Sequence, residues 1–221
     1  MFDFQEGESI IMKINNKVIG GILAAVAVLA LVIGIVTVKA HVHNAGLLKE
    51  KQIVELNNNN TIQLNQYVAS LKEQVGIANV KSNALDKILK DALSARYTPG
   101  QLTDPNSKGS FYSAMHEAYP NIDVSVYDQI ITFVQGQRQD YALLQKQLQS
   151  MLADFDTWRG SFPNSMFAGG FPDHWLVVSD DNGNRIDGQK ALDYLNTISQ
   201  PNGSNNGGGQ SGVSIPGLNG K

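Results

Sequence analysis

The chain opens its pattern with an unbroken apolar block. Val18 to Val38 (VIGGILAAVAVLALVIGIVTV) is 21 consecutive residues without a charge. As a helix it reaches about 30 Å, the hydrocarbon thickness of a bilayer. In lipid a lone segment satisfies its backbone only as a helix, so its β-branched residues do not argue for a strand. Lys17 and Lys39 bracket the block. A cleaved leader is the competing reading, because Val38-Lys39-Ala40 loosely resembles a cleavage site. The run exceeds the roughly 7–15 residues of a leader's apolar core and a lysine sits at the cut, so a retained anchor is expected. Gly20, Gly21 and Gly34 offer no GxxxG spacing, which speaks against dimerisation through this segment.

Beyond it the period changes to heptads. Leu64, Val68, Leu71, Val75, Ala78, Ser82, Leu85, Leu89 and Ala92 alternate by fours and threes, the seam of a helix packed along a neighbour. Upstream, Leu47, Leu48, Ile53, Val54 and Leu56 carry the membrane helix outward. The run Asn57-Asn58-Asn59-Asn60 competes for backbone hydrogen bonds, and a kink or break is expected near Asn57–Thr61. Tyr97 to Phe111 concentrates Pro, Gly, Asn and Ser and reads as a loop, with a short helix over Phe111–Ala118.

The second seam is the clearest signal. Tyr127, Ile130, Val134, Gln137, Tyr141, Leu144, Leu148, Met151, Phe155, Trp158 and Phe162 keep a 3-4-3-4 spacing. Asp123 is the expected N-cap and Pro163 the stop, giving a helix of about 58 Å over Asp123–Ser161. Gly136 weakens it by about 1 kcal/mol, and Gln137 is the polar register-setter on the seam. Gln135, Arg138, Gln139, Lys146, Gln149, Asp156 and Arg159 form the water face, while Leu143, Leu152 and Ile131 widen the apolar one. Two such helices joined by a loop run antiparallel in a bundle.

The elements after Pro163 are small. Trp175–Val178 is a strand candidate, Asn182-Gly183 a hairpin turn, and Gln189–Ile198 a last helix. From residue 200 the chain is rich in Gly, Asn and Ser and is expected to be disordered. The fold class is therefore all-α: a single transmembrane helix, then a long antiparallel helical bundle, with a small β-hairpin and a disordered C-terminal tail. The boundaries are a short N-terminal tail at 1–17, the transmembrane helix at 18–38, the bundle at 40–172, a hairpin and helix appendage at 173–199, and the tail at 200–221.

Composition narrows the function by exclusion. With 17 Lys+Arg against 20 Asp+Glu in 221 residues the net charge is -3, so no basic footprint for nucleic acid exists. The absence of cysteine excludes disulfides, thiolate metal sites and a cysteine nucleophile. Positive-inside counting sets Lys13 and Lys17 against Lys39, Lys49 and Lys51, a narrow lean to a cytoplasmic bundle.

Candidate chemistry is sparse. Asp180 to Arg185 resembles the start of a calcium loop, but Arg185 stands where glycine is needed and Ala191 where a bidentate glutamate belongs. His41 and His43 follow the membrane block without a third ligand, and interfacial solvation accounts for them. His116-Glu117 and His174 are isolated, and a hydrolase built on either histidine is the least favoured reading. No phosphate-cradling glycine motif is present. No catalytic, cofactor-binding or metal residue is assigned, and no cofactor is expected.

One stretch is more informative. Phe162-Pro163-Asn164-Ser165-Met166-Phe167-Ala168-Gly169-Gly170-Phe171 resembles the close of the LemA domain, where a long helix ends in Phe-Pro before a small-residue segment and Gly-Phe. Tyr119-Pro120 followed by Ile122, and Leu64 to Arg96 ending Ser94-Ala95-Arg96, are similar to other parts of that family. The resemblance covers about Val18–Phe171. Leu148-Gln149 and Phe155-Asp156 stand where the family repeats Tyr-Asn, so the chain resembles a divergent member, and a mobile or phage genome is the expected source. The resemblance implies a single-pass membrane protein with an antiparallel helical bundle and no established catalytic residues.

The expectation is a membrane-anchored helical scaffold or interaction protein, not an enzyme. Its partners are the bilayer through 18–38, a protein of unknown identity and, in the homo-oligomer reading, its own copies, with no nucleic acid. The rival is an oligomeric coiled-coil component of a phage or cell envelope. In a bacterium either would sit in the inner membrane.

Overall fold

A computed structural model describes residues 16–102, 110–173, 175–180 and 183–200. The N-terminal tail over 1–15, the middle of the expected loop over 103–109, His174, Asp181, Asn182 and the C-terminal tail over 201–221 lie outside the described residues. The described residues are all-α apart from one small hairpin.

Helix α1 spans Asn16–Gln74, 59 residues in one run. At 1.5 Å per residue it is about 90 Å long. Its first part stands bare: Ile19 to Val36 are exposed and meet no packing partner among the described residues, and Thr37 returns its hydroxyl to the Gly34 carbonyl at 2.9 Å. Packing begins at Val38 and Val42.

The expected break at Asn57–Thr61 does not occur; α1 is a continuous helix across it. Asn57 and Asn60 are buried, and Asn60 Nδ2 donates to the Leu144 carbonyl at 3.1 Å, so a tertiary contact engages the side chain that would otherwise compete with the helix. The break comes later. Gly76 takes φ 75°, Ile77 N–H donates to the Lys72 carbonyl at 2.8 Å, and α1 closes in a Schellman motif. The Leu64–Arg96 helix is thus two helices. Ala78 is an exposed turn residue, and Ser82 caps α2 (Asn83–Leu93) by accepting from Leu85 N–H at 3.2 Å. Helix α2 ends the same way, with Ala95 at φ 59° and Arg96 N–H on the Asp91 carbonyl at 2.9 Å.

A one-turn helix α3 (Pro99–Leu102) interrupts the anticipated loop, and α4 (Ser110–Ala118) follows where a short helix was expected. Helix α5 spans Val124–Gly160, with Asp123 Oδ1 accepting from Val126 N–H at 2.8 Å, the anticipated cap. Two short 3-10 turns at Asn164–Met166 and Ala168–Gly170 lead to strands β1 (Val177–Ser179) and β2 (Arg185–Asp187). The strands pair antiparallel with Val178 opposite Ile186, and helix α6 (Gly188–Ser199) follows.

Helices α1 and α5 run antiparallel and carry two separate cores. The distal one gathers Val68, Leu71, Leu85, Leu89, Phe111, Met115, Tyr127, Ile130 and Val134, under α2 and α4. The other, nearest the apolar end of α1, gathers Val42, Ile53, Leu148, Leu152, Phe155, Phe171, Leu176, Val178 and Leu195. The hairpin and α6 therefore share a core with α1 and α5. Neither cluster includes a residue between Leu56 and Leu64 or between Val134 and Leu148. That interval is a polar waist formed by Asn57, Asn60, Tyr141 and Gln145.

Three seam assignments need correction. Phe162, placed on the second seam, lies past the end of α5 and is 81% exposed. Leu143, expected to widen the apolar face, is 58% exposed. Arg138, assigned to water, is half-buried and donates to the Ala92 carbonyl at 2.8 Å and the Tyr97 carbonyl at 2.6 Å. Its guanidinium closes the carbonyl end of α2, where a cation is favoured. Burial lowers the Arg138 pKa from its ordinary value, and raises that of Tyr97 with a smaller push from Asp91.

Candidate functional site

The most constructed polar and aromatic arrangement lies where α1 leaves its bare apolar part. Gly46 lets the ring of Phe171 approach the α1 backbone: a Cβ there would stand 2.6 Å from Cε1 and 2.7 Å from Cε2. Phe171 also meets Trp158 edge-on at 5.5 Å and the exposed ring of His43 at 5.8 Å. Arg159 donates to the Phe171 carbonyl at 3.0 Å, lies 5.5 Å from the Phe155 ring centre and reaches Asp156 at 3.5 Å. Asn164 Nδ2 donates to the Trp158 carbonyl at 3.1 Å, which covers the end of α5. The Phe-Pro to Gly-Phe stretch is thereby folded back onto α1.

Glu50, one heptad before Asn57, is fully buried, and its Oε1 accepts from the backbone N–H of Asp173. Sequence reading missed it, since an acidic residue on a helix defaults to solvent. A period signal was present. Val42, Gly46, Glu50, Ile53, Asn57, Asn60 and Leu64 continue the seam backwards in fours and threes, with small or polar residues in the places where leucine would have shown it.

At the far end, Lys72 is 9% exposed and donates to the Val80 carbonyl at 2.6 Å and to Asp86 Oδ1 at 2.9 Å. It ties the α1–α2 turn to the start of α2. An open depression of about 430 Å³ beside it is lined by Asn65, Val68, Lys72, Glu73, Asp86 and Lys90. Its two lysines face two carboxylates, so it favours neither anions nor cations, and the Lys72 amine is already committed.

The residues weighed for chemistry are not brought together. His41 and His43 lie on exposed turns of α1, and His116 is exposed on α4 with its ring 5.9 Å from Tyr112. His174 lies outside the described residues. Asp180 spends its carboxylate on the hairpin turn, accepting from Asn184 N–H at 2.8 Å and Asn184 Nδ2 at 3.1 Å. Among the described residues no three His, Asp or Glu side chains gather as metal ligands would. The arrangement as a whole can hold two helices and a loop together beside an apolar rod.

Compared with models of protein families, with curated proteins and with solved structures, the chain has no match. The LemA resemblance therefore rests on the residues that carry it.

Proposed function

We propose that the protein is a single-pass membrane-anchored helical scaffold of LemA-like design, which presents the polar faces of α1 and α5 to a protein partner and has no catalytic activity. One observation carries the anchoring: α1 is long and apolar enough to cross a membrane, and it enters the bundle without a break. Val18–Val38 holds thirteen Val, Ile and Leu side chains. At about −0.3 to −0.6 kcal/mol each near the bilayer centre, they favour insertion by several kcal/mol. A leader cut near Ala40 would fall inside this uninterrupted helix, two residues before the core residue Val42.

The test is fractionation of cells expressing the full chain. Anchoring predicts a full-length product that stays with membranes after carbonate washing, and a freely soluble product shortened after Val38 overturns it. Crosslinking in those membranes should recover one specific protein, and recovery of none overturns the scaffold role. Protease access to the C-terminal tail in intact cells reads the side on which the bundle lies.

The rival assembly draws support from Leu48 and Ile62. Two heptads apart on one stripe of α1, they are 58% and 52% exposed. Light scattering of the detergent-solubilised chain separates the readings: a monomer mass excludes the assembly.

A further inference from the structure

We infer that the loop after α5, carrying Phe162 and Met166, enters the headgroup layer beside α1 and gives the bundle a second, interfacial contact with the lipid surface. This rests on the anchored reading of α1.

Position along α1 comes first. Asn60 meets Leu144 at the waist. Gly46 and Trp158 are equally far along their helices from that contact, and Phe171 touches both positions. The two helices are therefore in even antiparallel register, and Gly160, the last residue of α5, falls level with Asn44. Asn44 is six residues from Val38, about 9 Å along the axis. Each headgroup layer is about 5–8 Å thick. With Val38 at the hydrocarbon edge, the loop that follows Gly160 starts at the outer edge of the headgroup layer.

Exposure and composition agree with that depth. Phe162 is 81% and Met166 67% exposed, the two most exposed large apolar side chains among the described residues. The loop backbone is not loose: Ser165 N–H donates to the Ser161 carbonyl at 2.8 Å and Phe167 N–H to the Asn164 carbonyl at 2.8 Å. Phe167 and Phe171 turn into the core while Phe162 and Met166 turn out, so the loop has two faces. Residues 160–172 contain no charged side chain. An uncharged loop with an outward aromatic suits the boundary between water and acyl chains, where aromatics concentrate. Burying a phenyl and a thioether side chain there is favourable, and α1 already holds them at the surface, so the entropy of approach has been met by the anchor.

The experiment uses the full chain in phosphatidylcholine vesicles. The protein has no cysteine, so single-cysteine variants label cleanly. Spin labels go at Phe162→Cys, Met166→Cys and Ser165→Cys, the last leaving both apolar side chains in place. Leu29→Cys reports the anchor and Lys146→Cys, on the exposed face of α5, reports water. Accessibility to oxygen relative to a water-soluble nickel chelate should be several-fold higher at 162 and 166 than at 146. Position 165 should be intermediate, and position 29 should be highest. Values at 162, 165 and 166 matching 146, with 29 still deep, overturn the loop contact and leave the anchor standing. A water-like value at 29 overturns both. Because the loop is uncharged, adding phosphatidylglycerol should leave the depths unchanged; a contact that appears only with the anionic lipid overturns the apolar basis of the insertion.

Discussion

The ring of Phe171 occupies the space that a side chain at Gly46 would need, with its Cε atoms 2.6 and 2.7 Å from where that Cβ would be. Two effects oppose each other in Gly46→Ala. Alanine is about 1 kcal/mol better than glycine inside a helix. Displacing a packed ring costs about 1–3 kcal/mol, and this ring also holds Trp158 and His43. The expected outcome is net destabilisation of up to about 2 kcal/mol in detergent denaturation, by overpacking. Gly136→Ala is the internal control. Nothing lies within 4 Å of a Cβ there, so it should stabilise by about 1 kcal/mol. Equal stabilisation by both would show that Phe171 does not pack against Gly46.

Arg138 links α5 to the end of α2 through the carbonyls of Ala92 and Tyr97. Arg138→Met keeps most of the aliphatic packing and removes both donors, at an expected cost of about 1.5–3 kcal/mol, the range for a charged hydrogen-bonding group. Arg138→Lys retains the charge but lacks the planar fork that spans two acceptors, so it should fall between. Denaturant midpoints order the three proteins. If methionine is neutral, α2 does not depend on this contact.

The same residue shows what could be read from the sequence and what could not. Arg138 lies on the polar side of a strong heptad, and only the return of α2 and its carbonyls to that spot makes it structural. The α5 helix was legible because Asp123 caps it and apolar residues mark nearly every seam position. Between Val42 and Leu64 the α1 seam was illegible, since Gly46, Glu50, Asn57 and Asn60 do not look like core. Glu50 and Asn60 find their partners over eighty residues away, and those contacts supply what local propensity lacks. The four asparagines argued for a break where tertiary contacts forbid one, while Gly76, a single residue inside the apparent heptad, ended the helix. Phe162 kept the spacing past the point where the helix stopped.

Asp123 gives the pH dependence. Its carboxyl is held below the ordinary value of 3.8, first by the Val126 N–H and then by the Ser125 hydroxyl. The unfolded chain therefore takes up the proton first. The stabilisation is whole above the unfolded value and is lost as pH falls through the lower, folded one. Thermal midpoints of the native protein and Asp123→Asn should differ most at neutral pH and converge below that range, because asparagine still caps but does not titrate. A constant difference down to acid pH would mean that the carboxylate charge has no part in the cap.

The waist carries the remaining prediction. Asn60 uses its amide hydrogens on the Leu144 carbonyl and Gln145 uses its own on the Tyr141 hydroxyl at 2.8 Å. The carbonyl oxygens of both side chains are buried and meet no donor among the described residues. Turning the Asn60 amide over gains nothing, since its oxygen would then face the Leu144 oxygen. A buried acceptor left unmet costs about 1–3 kcal/mol. Replacing both residues removes both acceptors together, so Asn60→Leu/Gln145→Leu should raise stability by about 1–3 kcal/mol. It should also fill the gap between the two apolar clusters. Amide exchange would then change character. In the native protein the clusters under α2 and under α6 can open separately, because they are distinct apolar clusters with the polar side chains of Asn57, Asn60 and Gln145 between them. In the double leucine variant they should protect and open as one unit. Lower stability in that variant would show that the two oxygens are satisfied by bound water, and that the waist is a stabilising network and not a gap in the core.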